Sequence, residues 1–123
     1  AIRNLILHRQ FELSYIYEEP LKHFDEDTAI RVENIRGNIL FIYAKEDLMW
    51  PSKEAVAYMV ERLEKHRFAF RVDVLEYEKA SHILVPLNPP KLKMFKIERQ
   101  YPEDCRHSRE DAFRKTVKWI LDI

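Results

Sequence analysis

Glycine is nearly absent. The 123 residues hold one, Gly37, where an average usage of about 7% would give roughly nine. This excludes the glycine-rich phosphate loops G-x-x-x-x-G-K-[ST] and G-x-G-x-x-G. Within this sequence it also excludes the G-x-S-x-G nucleophile elbow, which needs two glycines. Cysteine is as scarce: Cys105 alone rules out an intramolecular disulfide framework and a multi-cysteine metal site. Net charge is missing too. Lys plus Arg is 21, Asp plus Glu is 21 and the formal net charge is zero, so nothing global points to nucleic acid or an anionic membrane as partner. Residues 83–123, with nine basic and six acidic side chains, carry only a weak excess of +3. No apolar run approaches the roughly 18 residues of a membrane span. Ala1-Ile2-Arg3 opens no signal-peptide pattern, and a cytoplasmic location is the default expectation. The sequence does not begin with Met, and a cut or processed piece of a longer chain is expected.

What is present is 46% apolar and 34% charged, a soluble globular composition sized for one domain with one modest core. Residues 1–35 are the least readable. Phe11, Leu13, Tyr15, Ile16 and Tyr17 are apolar, Glu18-Glu19-Pro20 interrupts them, and a helix over Leu21–Asp27 is expected before the short stretch Ile30–Ile35. From Asn38 the order is clearer. Residues 38–43, Asn-Ile-Leu-Phe-Ile-Tyr, form a nearly continuous apolar run, the pattern of a strand covered on both faces as in parallel sheets. A polar loop ends at Pro51, and Ser52 is expected to cap a helix with Val56, Met59, Val60 and Leu63 on one face. Lys65, His66 and Arg67 fall in its last turn. Residues 70–74 alternate and continue through Leu75 and Tyr77 as a second strand with one face less buried. A long connection, 78–107, holds Pro86, Pro89, Pro90 and Pro102. Ser108 and Asp111 have capping-box spacing, and the helix expected after them puts Phe113, Val117, Ile120 and Leu121 on one face. Strand, helix, strand, helix is α/β alternation, and its crossover implies parallel strands.

Asp47 follows the end of the first expected strand and His82 the end of the second. Parallel strands put both loops on one sheet edge, where sites in open α/β sheets gather. A carboxylate there can fix an imidazole's tautomer and stabilise its protonated form. From position alone, a solvated turn aspartate and a satisfied, partly buried histidine account for these residues equally well.

A longer pattern adds to this. Val32-Glu33-Asn34-Ile35, Gly37, Ile39-Leu40, Asp47, Trp50 and Ser52 are followed by Ala80-Ser81-His82 and Pro86. The chain thereby resembles the C-terminal part of an α/β-hydrolase. The subgroup is the acyl-CoA thioester hydrolase / bile acid-CoA:amino acid N-acyltransferase C-terminal family, with its V-E-x-I-x-G-x-I-L-x-x-x-G-x-D-D-x-x-W-x-S pattern and later A-G-H. The likeness covers about residues 28–90 well and the final helix with Trp119 loosely. It implies that Asp47 is the acid and His82 the general base of a nucleophile–acid–histidine triad. Ala44 and Ser81 stand where the family has glycine, and Glu46 where it has its first Asp.

The family's chain order, nucleophile then acid then histidine, puts the nucleophile before Asp47. Only Ser14 precedes it among Ser and Cys, and no glycine adjoins it. Cys105, between Asp104 and Arg106, follows the histidine and is expected to be an incidental, partly exposed thiol. His8, His23, His66 and His107 show no metal-ligand spacing and are expected at the surface or at caps. Asp25-Glu26-Asp27 reads as a solvated turn. Lys91, Lys93, Lys96 and Arg99 around Met94 and Phe95 are expected to form a solvated face rather than a basic patch for phosphates. Trp50 suits either ordinary packing or the rim of an acyl pocket.

The expectation is therefore one partial α/β-hydrolase domain over 1–123. Residues 1–35 are a lead-in, and 36–123 are strand–helix–strand–helix carrying acid and histidine. Its partners would be an acyl thioester or ester substrate and the upstream part of the same domain, with a homo-oligomer as another way to cover the strands. No nucleic acid, membrane, metal or organic cofactor is implied. The alternative is a non-catalytic ligand- or protein-binding module that keeps the fold without the nucleophile.

Overall fold

The computed structural model describes residues 13–87 and 90–122. Helix α1, Ser14–Lys22, is followed by short 3-10 turns at Glu26–Thr28 and Val32–Asn34. Strand β1 is Ile39–Ala44, helix α2 Ser52–Lys65 and strand β2 Val72–Tyr77. A 3-10 turn at Pro90–Met94 leads to α3, Lys96–Gln100, and α4, Pro102–Leu121. The strands pair in parallel, with Ile39 opposite Val72 and Ala44 opposite Tyr77. The architecture is thus α/β, and in-phase pairing brings both carboxyl ends to one edge. The Lys45 N–H bonds the Tyr77 carbonyl at 2.9 Å and extends the ladder to that edge.

Helix α2 buries Val56 and Leu63, two turns apart on one stripe. Its end is a Schellman motif. The Phe68 N–H bonds the Leu63 carbonyl, the Arg67 N–H bonds the Glu64 carbonyl, each at 3.0 Å, and Arg67 takes the left-handed conformation at φ 51°. The turn before β1 is tied to α2 by a bidentate pair: Arg62 Nε and Nη2 each donate to a Glu33 carboxylate oxygen at 2.5 Å. The core comprises Val32, Ala44, Val56, Leu63, Ala80, Leu92, Phe95, Cys105 and Ala112.

Several expectations are corrected. The lead-in helix is Ser14–Lys22, not Leu21–Asp27, and it contains Pro20. That proline has no N–H to bond the Ile16 carbonyl one turn back, and the helix ends two residues later, its last turn closed by the His23 N–H on the Pro20 carbonyl at 3.1 Å. Asp25 Oδ1 instead accepts the Asp27 N–H, and Thr28 Oγ1 donates to the Asp25 carbonyl, so local side-chain bonds make a tight turn. Ser52 is the first helical residue of α2 rather than its side-chain cap. The last helix begins at Pro102, six residues before Ser108, with proline at its first position and Glu103 and Asp104 in its first turn. Ser108 and Asp111 serve tertiary contacts. Ser108 Oγ donates to the Lys79 carbonyl and Asp111 accepts from Tyr77 Oη, both at 2.8 Å. The face of α4 turned to the rest of the chain carries Cys105, Arg109 and Ala112, with Thr116 and Trp119 half-buried beyond them. Phe113, Val117, Ile120 and Leu121, expected together on one face of this helix, are exposed, with Leu121 77% exposed.

Candidate active site

Asp47 sits three residues beyond β1 and His82 five beyond β2. The parallel register brings them together: His82 Nδ1 lies 2.7 Å from Asp47 Oδ2. The Asp47 side chain is 4% exposed and that of His82 40%. Around Asp47 the loop folds on its carboxylate. Oδ1 accepts the backbone N–H of Met49 at 2.9 Å and of Trp50 at 3.3 Å, and Oδ2 accepts the Ser52 hydroxyl at 2.6 Å. This is an aspartate turn feeding directly into α2.

Burial pushes the Asp47 carboxyl upward, but the hydrogen bonds from His82, Ser52 and the Met49 N–H outweigh it and hold it below its ordinary 3.8. The same hydrogen bond raises the His82 imidazole above 6.5 against the opposing effect of burial. An ionised carboxylate can only accept. The proton between them therefore belongs to Nδ1, and neutral His82 presents Nε2 as a lone-pair acceptor. This arrangement can take up a proton and stabilise the resulting imidazolium.

The backbone around His82 is held from the other side. Ser81 is buried, and its hydroxyl donates to Glu98 Oε1 at 2.7 Å while accepting the Ile83 N–H at 3.3 Å. Arg109 Nη1 donates to both Glu98 oxygens, at 2.7 and 2.6 Å, and both of these charged side chains are buried. Sequence reasoning assigned no role to Glu98 or Arg109. They lie 17 and 11 residues from their partners, and no periodicity reports a charge that is buried because it is paired. Ser52 had a signal in its place within the family pattern.

Other candidates fall elsewhere. Cys105, expected to be partly exposed, is completely buried. Its Sγ faces the Ile97 carbonyl at 3.6 Å, and burial, reinforced by the Glu98 charge, raises the thiol to about 11. It is not an activated nucleophile. Ser14 opens α1. Trp50 is 45% exposed and its ring meets Tyr17 at 4.2 Å between centroids. In the basic segment, Leu92 and Phe95 are buried and Arg99 donates to the carbonyls of Lys93 and Met94. Asp25, Glu26 and Asp27 are exposed, as are His23, His66 and His107, while His8 lies outside the described residues. Among the described residues no group of three His, Cys, Asp or Glu is placed to hold a metal ion, and no helix is long and apolar enough to cross a membrane. A charged groove of about 320 Å³, lined by Arg31, Tyr58, Arg62, Lys65 and His66 among others, shares no lining residue with the Asp47–His82 pair.

The chain belongs to the BAAT / acyl-CoA thioester hydrolase C-terminal family, whose profile matches residues 5–101. The matched region contains Asp47, Ser52, His82 and Glu98 and stops just before α4. No curated protein and no solved structure matches the chain.

Proposed function

We propose that this chain is the acid- and histidine-bearing C-terminal lobe of a serine-type α/β-hydrolase that acts on thioesters or carboxylic esters. The observation that carries the reading is the Asp47–His82 hydrogen bond at the shared carboxyl edge of two parallel strands. Family membership supports acyl-CoA thioesters, or acyl transfer from them, as the chemistry. The nucleophile is supplied by a preceding segment of the same domain, which also covers the two-stranded sheet; a homo-oligomer is the other way to cover it. His82 Nε2 accepts the nucleophile's proton as the new acyl–oxygen bond forms, then returns it to the departing thiolate or alkoxide. Asp47 keeps Nδ1 protonated and stabilises the imidazolium between the two transfers. Backbone N–H groups of the preceding segment supply the oxyanion hole.

Acyl-CoA hydrolysis tests this in a protein that includes that segment. His82→Ala abolishes turnover with little loss of stability, and the 123 residues alone show no appreciable hydrolysis. Robust activity of the 123-residue chain that vanishes in Ser14→Ala or Cys105→Ala would mean that the nucleophile is misplaced. The second reading, a ligand- or protein-binding module, is favoured by Ala44 and Ser81, which replace family glycines beside the pair. It wins if the intact protein has no nucleophile elbow before Asp47.

A further inference from the structure

We propose that Ser81, Glu98 and Arg109 form a buried positioning relay that fixes the His82 imidazole against Asp47, so that α3 and α4 are working parts of the site. The inference rests on the reading of His82 as the general base. It is built from three rungs along the segment that runs from the end of β2 to His82. Tyr77, Lys79 and Ser81 alternate along the chain leaving β2, and each is engaged by the C-terminal helices. Tyr77 Oη donates to Asp111 at 2.8 Å, the Lys79 carbonyl accepts the Ser108 hydroxyl at 2.8 Å, and Ser81 Oγ donates to Glu98 at 2.7 Å. The Lys79 ammonium also lies 3.9 Å above the Tyr101 ring.

The third rung differs from the others. Its members are all buried, and it engages the residues on both sides of His82. The Ser81 hydroxyl donates toward Glu98 and accepts the Ile83 N–H, which closes a small turn around the histidine. Glu98 would be a poor anchor alone, because an unpaired buried carboxylate is unfavourable. Arg109 supplies both of its oxygens with a hydrogen bond, which fixes where the Ser81 acceptor stands. The side chain of His82 is itself substantially exposed, so its aim depends on its backbone and on Asp47. Arg109 lies on α4, beyond the region matched to the family.

The test follows the His82 imidazole by NMR in the full-length protein with labelled histidine, beside acyl-CoA kinetics. In Ser81→Ala the His82 titration midpoint falls toward the free value of about 6.5, and exchange of the Ile83 amide accelerates. The kcat falls by about tenfold with KM unchanged, because a slightly misplaced base loses rate and not binding. Ser81→Thr, which keeps the hydroxyl, restores the midpoint. If Ser81→Ala titrates like the parent while Asp47→Asn lowers the midpoint, the relay is overturned and the pair survives. If Asp47→Asn also leaves the midpoint in place, relay and pair fall together. A midpoint that responds to Ser81→Ala in a protein without hydrolytic activity supports the relay and removes only the enzymatic reading.

Discussion

Asp47→Asn isolates the tautomer from the fold. The amide keeps its carbonyl oxygen where Oδ1 accepts the Met49 and Trp50 N–H groups. That choice puts the NH₂ at the Oδ2 position, 2.7 Å from His82 Nδ1 and 2.6 Å from Ser52 Oγ. Ser52 can rotate its hydroxyl and accept, so the loop survives. His82 has no such freedom: Nδ1 must accept from the amide, the ring proton moves to Nε2, and the base has no lone pair to offer the nucleophile. The expected loss in kcat is about 10⁴-fold, roughly 5 kcal/mol of transition-state stabilisation. The pH profile follows with a definite sign. In the parent, Asp47 holds the imidazole above 6.5, so activity falls as pH drops through that raised value, and in the variant the acid limb moves down. The pair also contributes stability. The His82 part is complete below 6.5 and lost as pH rises through the raised midpoint, while the Asp47 part is present above 3.8 and lost as pH falls through its lowered one. Acyl-CoA hydrolysis against pH, with circular dichroism to verify folding, measures both effects. A folded Asp47→Asn protein that keeps more than about a tenth of parental kcat would refute the assignment.

Arg109→Met leaves the buried Glu98 carboxylate unpaired and is expected to destabilise by about 3–5 kcal/mol, with much of this recovered in Glu98→Leu/Arg109→Met; urea unfolding midpoints measure it, and an unchanged single variant would contradict the buried pair. Cys105, buried with its thiol raised to about 11, should resist a disulfide reagent at pH 8 until the protein is denatured, and rapid labelling of the native state would show otherwise. The hydrogen bonds from Arg62 hold Glu33 down at about 2, so the unfolded chain takes up that proton first. Stability from this group is lost as pH falls from about 4.5 toward 2, a decline that Glu33→Gln should flatten and that parallel curves would disprove. Arg67→Gly relieves the left-handed residue after α2 and should stabilise by about 0.5–1 kcal/mol, read as a higher Tm.

The strands and α2 are legible in the sequence because each carries the period of its own structure. Ile39–Tyr43 is continuously apolar, residues 70–74 alternate, and Val56 and Leu63 recur on one helical stripe. The closeness of Asp47 and His82 is legible for a topological reason: a parallel register with one crossover leaves both at the same sheet edge. Helix α4 is not. Its apolar residues Phe113, Val117 and Ile120 outline a face, but the inward face is a mix of cysteine, arginine and alanine. Arg109 is inside only because Glu98 is there to meet it, a fact about two distant positions that no local pattern carries. Ser108 and Asp111 misled for a similar reason. Their spacing matches a helix start, but what they bond is the segment that leaves β2.

Among the described residues, β1 and β2 pair only with each other, so without the covering segment proposed above the ribbon has two open edges. One strand beside them is the uncharged stretch Ile39–Tyr43, and α4 adds Phe113, Ile120 and Leu121 to the surface. Open edges and apolar stretches of this kind are templates for adhesion between copies. Ordinarily net charge keeps such copies apart, but here the formal charge is zero and the isoelectric point is about 7.2. Colloidal behaviour is therefore set against this chain at physiological pH. The solubility of the isolated chain should be poorest near neutrality and improve on either side, as a growing net charge restores mutual repulsion.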